Sequence, residues 1–183
     1  LIMLASALAV SVSHAKPPEP KSQPAAMEQY FDVVREQAPG LPGWTVYRPA
    51  ELHGPKGKFP VVAWSNGACT ASNDGHFYFL MQLAARGFVV VAYGPPDAIS
   101  APGSVATEDR LRTAIDWAIS PPGQGGSPYH NHLDAKRIAT MGHSCGGIDA
   151  LWTATHDSRV QAVVSLNSGC FPDDSTGGQS GPL

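Results

Sequence analysis

A serine at position 144 stands in the pattern Gly142-His-Ser-Cys-Gly146, between an apolar run at 138–141 and an Ala/Leu-rich segment. This order predicts a strand, a tight turn and a helix. A serine on such a turn has a strained backbone, and glycines two positions before and after it avoid a clash between strand and helix. The turn therefore presents Ser144 as a candidate nucleophile. It also places the Cys145 amide in the first turn of a helix, where a developing oxyanion is stabilised.

The five-residue pattern alone is weak evidence, because a chain of this composition contains it by chance roughly once in six cases. The alternative is an ordinary surface serine on a glycine-rich turn. The strand before the turn and the helix after it favour the nucleophile, since chance does not supply that context.

The composition of the 183-residue chain is that of one globular domain, with 43% hydrophobic residues, 15% charged residues and a net charge of −3. Its few basic residues are scattered, so we expect no nucleic-acid partner. Glycine and proline are abundant, but they separate apolar runs and show no repeat period.

The first 15 residues are apolar and end in Ser13-His-Ala15, small residues at the −3 and −1 positions of a cleavage site. We interpret residues 1–15 as the remnant of a signal peptide, which predicts a secreted or periplasmic protein. The segment is too short to span a bilayer, so no membrane partner is expected. Residues 16–25 are a Pro-rich linker and residues 26–183 the folded domain. A buried N-terminal helix is the alternative for the first segment.

Apolar periodicity predicts alternating strands and helices along the domain. The predicted helices cover 25–37, 77–86, 105–119 and the segment after Ser144; the predicted strands cover 44–49, 59–64, 88–93, 138–141 and 160–166. In the third of these helices, Leu111, Ile115, Trp117 and Ala118 are expected to face inward, and Glu108, Asp109, Arg110 and Arg112 outward. Connections of crossover length predict an α/β fold with a mostly parallel sheet covered by helices on both faces.

Four segments carry a family resemblance: Trp64-Ser-Asn-Gly-Ala-Cys69, Gly87-Phe-Val-Val-Val-Ala92, Met141-Gly-His-Ser-Cys-Gly-Gly147, and Asp157-Ser-Arg-Val160 with Leu166-Asn-Ser-Gly169. Over about residues 44–171 the chain resembles the α/β-hydrolase superfamily, in particular secreted esterase-type members related to chlorophyllase, dienelactone hydrolase and polyester hydrolases. The resemblance implies cleavage of small or polymeric carboxylic esters through an acyl-enzyme on Ser144. It implies no cofactor.

In that family the loop after the third strand supplies the second oxyanion amide. The resemblance assigns this role to Ala68 or Cys69, opposite the Cys145 amide. Donors lying about 5 to 6 Å apart at Cα suit a disulfide, so we hypothesise a Cys69–Cys145 bridge. The alternative is that both cysteines are small buried residues that fill space.

A serine nucleophile needs a histidine base and a carboxylate that orients it, and α/β-hydrolases carry them in the order Ser, acid, His. After Ser144 the sequence offers only His156, expected on the surface near the helix end. His143 is expected to pack in the turn. Asp173 or Asp174 is a candidate acid. The resemblance places the triad histidine beyond the given sequence, which we therefore interpret as a fragment lacking the last strands.

The remaining candidates receive plainer interpretations. His130, His132 and Asp134 have a spacing that could suit a metal, but they stand in a Gly/Pro-rich loop, and we expect no metal site. His53 and His76 have no visible role. The alternatives to an esterase are a peptidase or thioesterase on the same fold, a non-catalytic binding protein, and a thiol enzyme that uses Cys145.

Overall fold

Six strands form one sheet in the order β1-β2-β4-β3-β5-β6. The computed structural model describes residues 30–53, 57–97 and 107–169, and in these ranges it contains three α-helices beside the sheet. The strands are β1 (Val33–Gln37), β2 (Trp44–Pro49), β3 (Phe59–Ser65), β4 (Val89–Tyr93), β5 (Leu133–His143) and β6 (Val160–Leu166). The helices are α1 (Phe77–Ala85), α2 (Thr107–Ile119) and α3 (Cys145–His156).

The sheet is parallel where the candidate site lies. Strand β3 pairs in parallel with β4 and β5, and β5 pairs in parallel with β6; β1 and β2 add two antiparallel pairings at one side. In the chain, α1 connects β3 to β4, α2 connects β4 to β5, and α3 connects β5 to β6, as parallel strands require. The carboxyl ends of β3, β4, β5 and β6 therefore meet at one edge, where Ser65 pairs with Gly142.

Helices cover both faces of the sheet, because alternate residues of each central strand point to opposite sides. On one face Val61, Val89 and Val91 pack with buried residues of α2 and α3; on the other, Val62 and Val90 pack with α1. The predicted α/β architecture is confirmed. Leu111, Ile115, Trp117 and Ala118 of α2 are buried as expected.

The helix predicted over residues 25–37 is wrong in its described part, where Val33–Gln37 is strand β1. This strand pairs with β2 from Val33 against Pro49 to Gln37 against Thr45. The helical spacing of a few apolar residues was outweighed by two adjacent β-branched valines and by the hydrogen bonds that the edge of β2 offers. Residues 25–29 lie outside the described ranges.

The outward orientation predicted for Arg110 is also wrong. Its side chain is only 2% exposed and forms an ion pair with Asp149 of α3. Periodicity assigns a charged residue to the solvent side of a helix, and it cannot detect a buried partner that lies 39 positions further on in the chain. Asp109 and Arg112 are exposed, as expected.

A buried polar network fixes the segment between β3 and α1. The Tyr47 hydroxyl donates to Asn73 Oδ1, while Asn73 Nδ2 donates to Thr45 Oγ1 (3.2 Å) and to the Gly94 carbonyl (3.0 Å). Burial raises the pKa of the Tyr47 hydroxyl to about 12, against the opposing effect of the nearby Arg35 charge. The fold therefore favours the neutral phenol.

Replacing Tyr47 by Phe should destabilise the protein by about 1–3 kcal/mol at neutral pH, because Asn73 Oδ1 loses its buried donor. The folded-state pKa of Tyr47 is raised above its ordinary value of 10.0. Stability linked to this group is therefore fully present below pH 10 and is lost as pH rises towards about 12. Denaturant unfolding at neutral and alkaline pH should show that the substitution removes this share of the alkaline loss.

Tyr78 is 83% exposed and provides the matched control, since Tyr78→Phe should leave the stability at neutral pH nearly unchanged. Equal alkaline slopes for Tyr47→Phe and the unmodified protein would contradict the assignment.

Candidate active site

Ser144 occupies a strained turn between β5 and α3. Its backbone has φ +52° and ψ −118°, in a region that residues other than glycine rarely adopt. The Ser144 N–H donates to the Leu166 carbonyl at the end of β6 (2.9 Å), and the Ser144 carbonyl accepts from the Gly147 N–H (2.8 Å). Strand β6, which is not part of the five-residue pattern, thus holds the turn in place.

Glycines are required around Ser144 because backbone lies where their side chains would stand. A Cβ at Gly142 would lie 2.0 Å from the Gly146 carbonyl oxygen, and a Cβ at Gly146 would lie 2.1 Å from the Ser65 carbonyl oxygen. Helix α3 therefore begins in direct backbone contact with both β5 and the end of β3. Gly147, which sequence reasoning did not single out, is enclosed by the side chains of Ser165 and Ser168.

The loop after β3 faces the Ser144 turn and is strained as well. Residues Gly67–Cys69 form a 3₁₀ turn in which Ala68 (φ +52°) and Cys69 (φ +53°) have left-handed backbones. In the described ranges, the non-glycine residues with positive φ are Ala68, Cys69, Ser144 and Asn167, which follows β6. All four thus follow the carboxyl ends of strands, and such strain clusters at functional sites.

Asn66, which sequence reasoning missed, braces this loop. Its side chain is buried; Oδ1 accepts from Trp64 Nε1 (2.7 Å), and Nδ2 donates to the carbonyls of Tyr93 (2.6 Å) and Thr70 (3.0 Å). These bonds tie the start and end of the loop to each other and to the end of β4. An apolar substitute would leave the Tyr93 and Thr70 carbonyls without this donor.

A disulfide joins Cys69 to Cys145, with the two Cα atoms 5.4 Å apart. It links the loop after β3 to the residue that follows Ser144. Each cysteine lies in one of the two segments that we expect to supply an oxyanion donor. Since a disulfide sulfur is not a thiolate, the bridge argues against a thiol enzyme acting through Cys145.

Two imidazoles lie beside the nucleophile. The His143 ring is 5.0 Å from the His76 ring, which in turn lies 5.0 Å from the Trp64 ring. Burial, and then the proximity of His143, lowers the pKa of His76, so that this imidazole tends to be neutral. In the described ranges no hydrogen bond joins the Ser144 hydroxyl to a histidine, and the Nδ1 atoms of His76 and His143 have no partner.

The other histidines lie elsewhere. His156 is exposed at the end of α3, where its ring stacks on Trp152 at 4.1 Å. His130 and His132 lie at the amino end of β5, at the edge opposite Ser144, and the His132 ring contacts His53. Asp134 accepts hydrogen bonds from the Lys136 N–H and from Arg137 Nε (2.6 Å), and these bonds lower the pKa of its carboxyl group.

Within residues 30–53, 57–97 and 107–169, no group of three or more His, Cys, Asp or Glu side chains is placed to hold a metal ion. Within the same part of the chain, none of the helices has the length and apolar character needed to cross a bilayer. The candidate acids Asp173 and Asp174, the signal-like segment 1–15 and the linker 16–25 lie outside the described residues.

Below the site lies a buried ion pair between α2 and α3. Arg110 Nη1 donates to Asp149 Oδ2 (2.8 Å), and the same carboxylate oxygen accepts from the Ser65 hydroxyl (2.5 Å). The Arg110 guanidinium also lies over the Tyr93 ring, 4.5 Å from its centre. Burial raises the pKa of Asp149, while the Ser65 hydrogen bond and the Arg110 charge oppose that shift.

This arrangement, a serine with positive φ at the carboxyl edge of a parallel sheet and at the head of a helix, defines the class of α/β-hydrolases. A family model described as "PETase: PET hydrolase-like" matches residues 9–170. The chain therefore belongs to the PET hydrolase-like family, in agreement with the resemblance inferred from its sequence segments.

Curated relatives include cutinases and one protein named only as a hydrolase. Cutinase est1 of Thermobifida alba is 30% identical over 141 residues, covering 74% of this chain and 44% of that protein. Hydrolase LUC6 of Fusarium sp is 33% identical over 143 residues, covering 74% and 32%. Cutinase 2 of Thermobifida cellulosilytica is 30% identical, covering 74% and 50%. The chain thus spans half or less of the length of these relatives.

Replacing Gly146 by Ala should cost about 1–3 kcal/mol or more, because the new methyl would lie 2.1 Å from the Ser65 carbonyl oxygen and backbone must move. The measurement is the free energy of unfolding in denaturant. Gly123→Ala is the control, since its Cβ would meet nothing within 4 Å. Comparable stabilities for the two variants would show that the contact between α3 and β3 is not as close as described.

Proposed function

We propose that the protein is a serine hydrolase that cleaves carboxylic esters through an acyl-enzyme on Ser144. The observation that carries this proposal is the strained Ser144 turn, which faces an equally strained loop across the carboxyl edge of the sheet. Strain of this kind costs about 1–3 kcal/mol per residue and persists only where the surrounding structure holds it. Membership of a hydrolase family supports the same conclusion.

In the proposed reaction, Ser144 Oγ attacks the ester carbonyl carbon as a base takes its proton. The electron pair of the carbonyl moves to oxygen, and the amides of Cys145 and of Ala68 or Cys69 donate to this oxyanion. The tetrahedral intermediate then collapses, and the alcohol leaves with the proton from the base. Water attacks the acyl-enzyme in the same way, which releases the carboxylic acid and restores Ser144.

The general base is, in this proposal, a histidine that the described residues do not include. His143 and His76 lie close to the turn, but their contacts are with each other, with Trp64 and with Gly67. His156 is occupied with Trp152 at the far end of α3. An acid at Asp173 or Asp174 stays a prediction. No cofactor is needed for this chemistry.

For substrate and location, our proposals are an ester of small or polymeric type and a secreted or periplasmic enzyme. The names of the family and of the cutinase relatives support an ester substrate. The Cys69–Cys145 disulfide supports an oxidising compartment, because such bonds are rare in cytosolic proteins. A peptidase or thioesterase on the same fold is the alternative, since the fold does not determine the substrate.

Ser144→Ala should lower the rate of p-nitrophenyl ester hydrolysis by about 10⁴-fold or more and abolish labelling by a fluorophosphonate, because both reactions need the nucleophilic hydroxyl. Both are measured on the full-length protein, with Ser158→Ala as the control, because Ser158 is an exposed serine in the turn after α3.

A folded wild-type protein that shows no Ser144-dependent labelling would overturn the enzyme proposal in favour of a binding protein. Labelling combined with faster turnover of amides or thioesters than of matched oxygen esters would instead favour the peptidase or thioesterase alternative.

A further inference from the structure

We propose that Arg110 and Asp149 are positioning residues, whose buried ion pair acts through Ser65 to set the spacing between the Ser144 turn and the loop after β3. This inference rests on the proposed function, because the spacing matters only if the two segments share an oxyanion. It concerns residues that touch neither the nucleophile nor, as proposed, the substrate.

The geometry joins three elements at one carboxylate oxygen. Asp149 Oδ2 accepts from Arg110 Nη1 of α2 and from the Ser65 hydroxyl at the end of β3, and Arg110 Nη1 also lies 3.3 Å from Ser65 Oγ. The side chains of Arg110 and Asp149 are 2% and 0% exposed. Both donors hold the carboxylate at Oδ2, while Asp149 Oδ1 accepts no hydrogen bond from the described residues.

The cluster of Arg110, Asp149 and Ser65 lies close to both the Ser144 turn and the loop after β3. Asp149 lies four residues after Cys145, which is about one helical turn. Ser65 pairs with Gly142 across the sheet and directly precedes Asn66, which braces the loop. Because one hydrogen bond connects the turn of α3 behind Cys145 to the strand residue before the loop, a shift at Asp149 moves one proposed donor relative to the other.

Stability alone does not account for a buried ion pair. Desolvation of two charges offsets most of their attraction, and apolar residues of similar volume are often as stable or more stable. An apolar pair, however, has no directional bond to Ser65. Since misplacing a catalytic group by about 1 Å can cost about 100-fold in rate, a directional contact has a clear advantage here.

The Cys69–Cys145 disulfide also constrains the spacing between the Ser144 turn and the loop after β3. Its effect can be separated from that of the ion pair. The bridge constrains the ends of the two segments, where Cα atoms are 5.4 Å apart. The ion pair constrains their bases, where the Ser65 carbonyl meets Gly146. If the bridge alone were sufficient, removing the link at Ser65 would not affect turnover.

The first test is Ser65→Ala in the full-length protein, which removes one hydroxyl and adds no bulk. We expect kcat for a soluble p-nitrophenyl ester to fall about 10-fold or more with KM nearly unchanged, because the loss arises in the transition state. The same fall should appear in the rate constant of fluorophosphonate labelling. If the role of Ser65 were purely structural, the substitution would lower the melting temperature without lowering kcat at constant KM.

The second test is the double variant Arg110→Met with Asp149→Leu, which replaces the ion pair by apolar residues of similar size. We expect it to stay folded and to lose about 10- to 100-fold in kcat. The matched control is Arg137→Met with Asp134→Leu, a partly exposed ion pair at the opposite edge of the sheet, which should keep full kcat.

Unchanged kcat in Ser65→Ala would overturn the inference, whether or not the double variant folds. A folded double variant with wild-type kcat would overturn it equally. Wild-type protein without Ser144-dependent labelling would overturn the proposed function and this inference together, so the two failures can be told apart.

Discussion

The site depends on one backbone contact, the approach of Gly146 at the head of α3 to the Ser65 carbonyl at the end of β3. A methyl group in this position would lie 2.1 Å from the oxygen, so the contact exists only because residue 146 is glycine. The approach brings the helix N-terminus, with the positive end of its dipole, to the edge where the loop after β3 begins. Four further contacts support this approach.

Those supports differ in kind. The Cys69–Cys145 bridge is covalent, the Asn66 side chain binds the loop through neutral hydrogen bonds, and the Asp149 carboxylate binds Ser65 through a charge-assisted one. The Leu166 carbonyl adds a fourth support by holding the Ser144 amide from β6. Together they support the positive-φ backbones of Ala68, Cys69 and Ser144, which residues other than glycine rarely adopt.

Sequence patterns predicted the strands and helices well where neighbouring residues in the chain determine them. Five strands, the mixed but mostly parallel sheet and the turn at Ser144 followed from runs of apolar residues and from glycine spacing. The helix predicted to end at Gln37 failed because pairing with β2 outweighed a short helical periodicity.

The supports of the site were harder to predict for the same reason. Arg110 and Asp149 are 39 positions apart, and no local pattern shows that two charges will be buried against each other. Asn66 was part of a quoted segment, yet its role depends on the carbonyl of Tyr93 in another strand. The cysteine pair could be hypothesised only because family resemblance had already placed both residues around one oxyanion.

A rigid, closely supported edge is what electrostatic catalysis of the proposed kind requires. An oxyanion hole accelerates a reaction when its donors already point to where charge will develop, since no reorganisation is then needed in the transition state. Flexible loops could present the same amides, but they would have to be ordered during each turnover, at a cost in entropy. The disulfide and the buried ion pair order these segments when the protein folds, so the entropy is not lost again in each turnover. In the proposed reaction, this edge would supply a fixed electrostatic environment for Ser144.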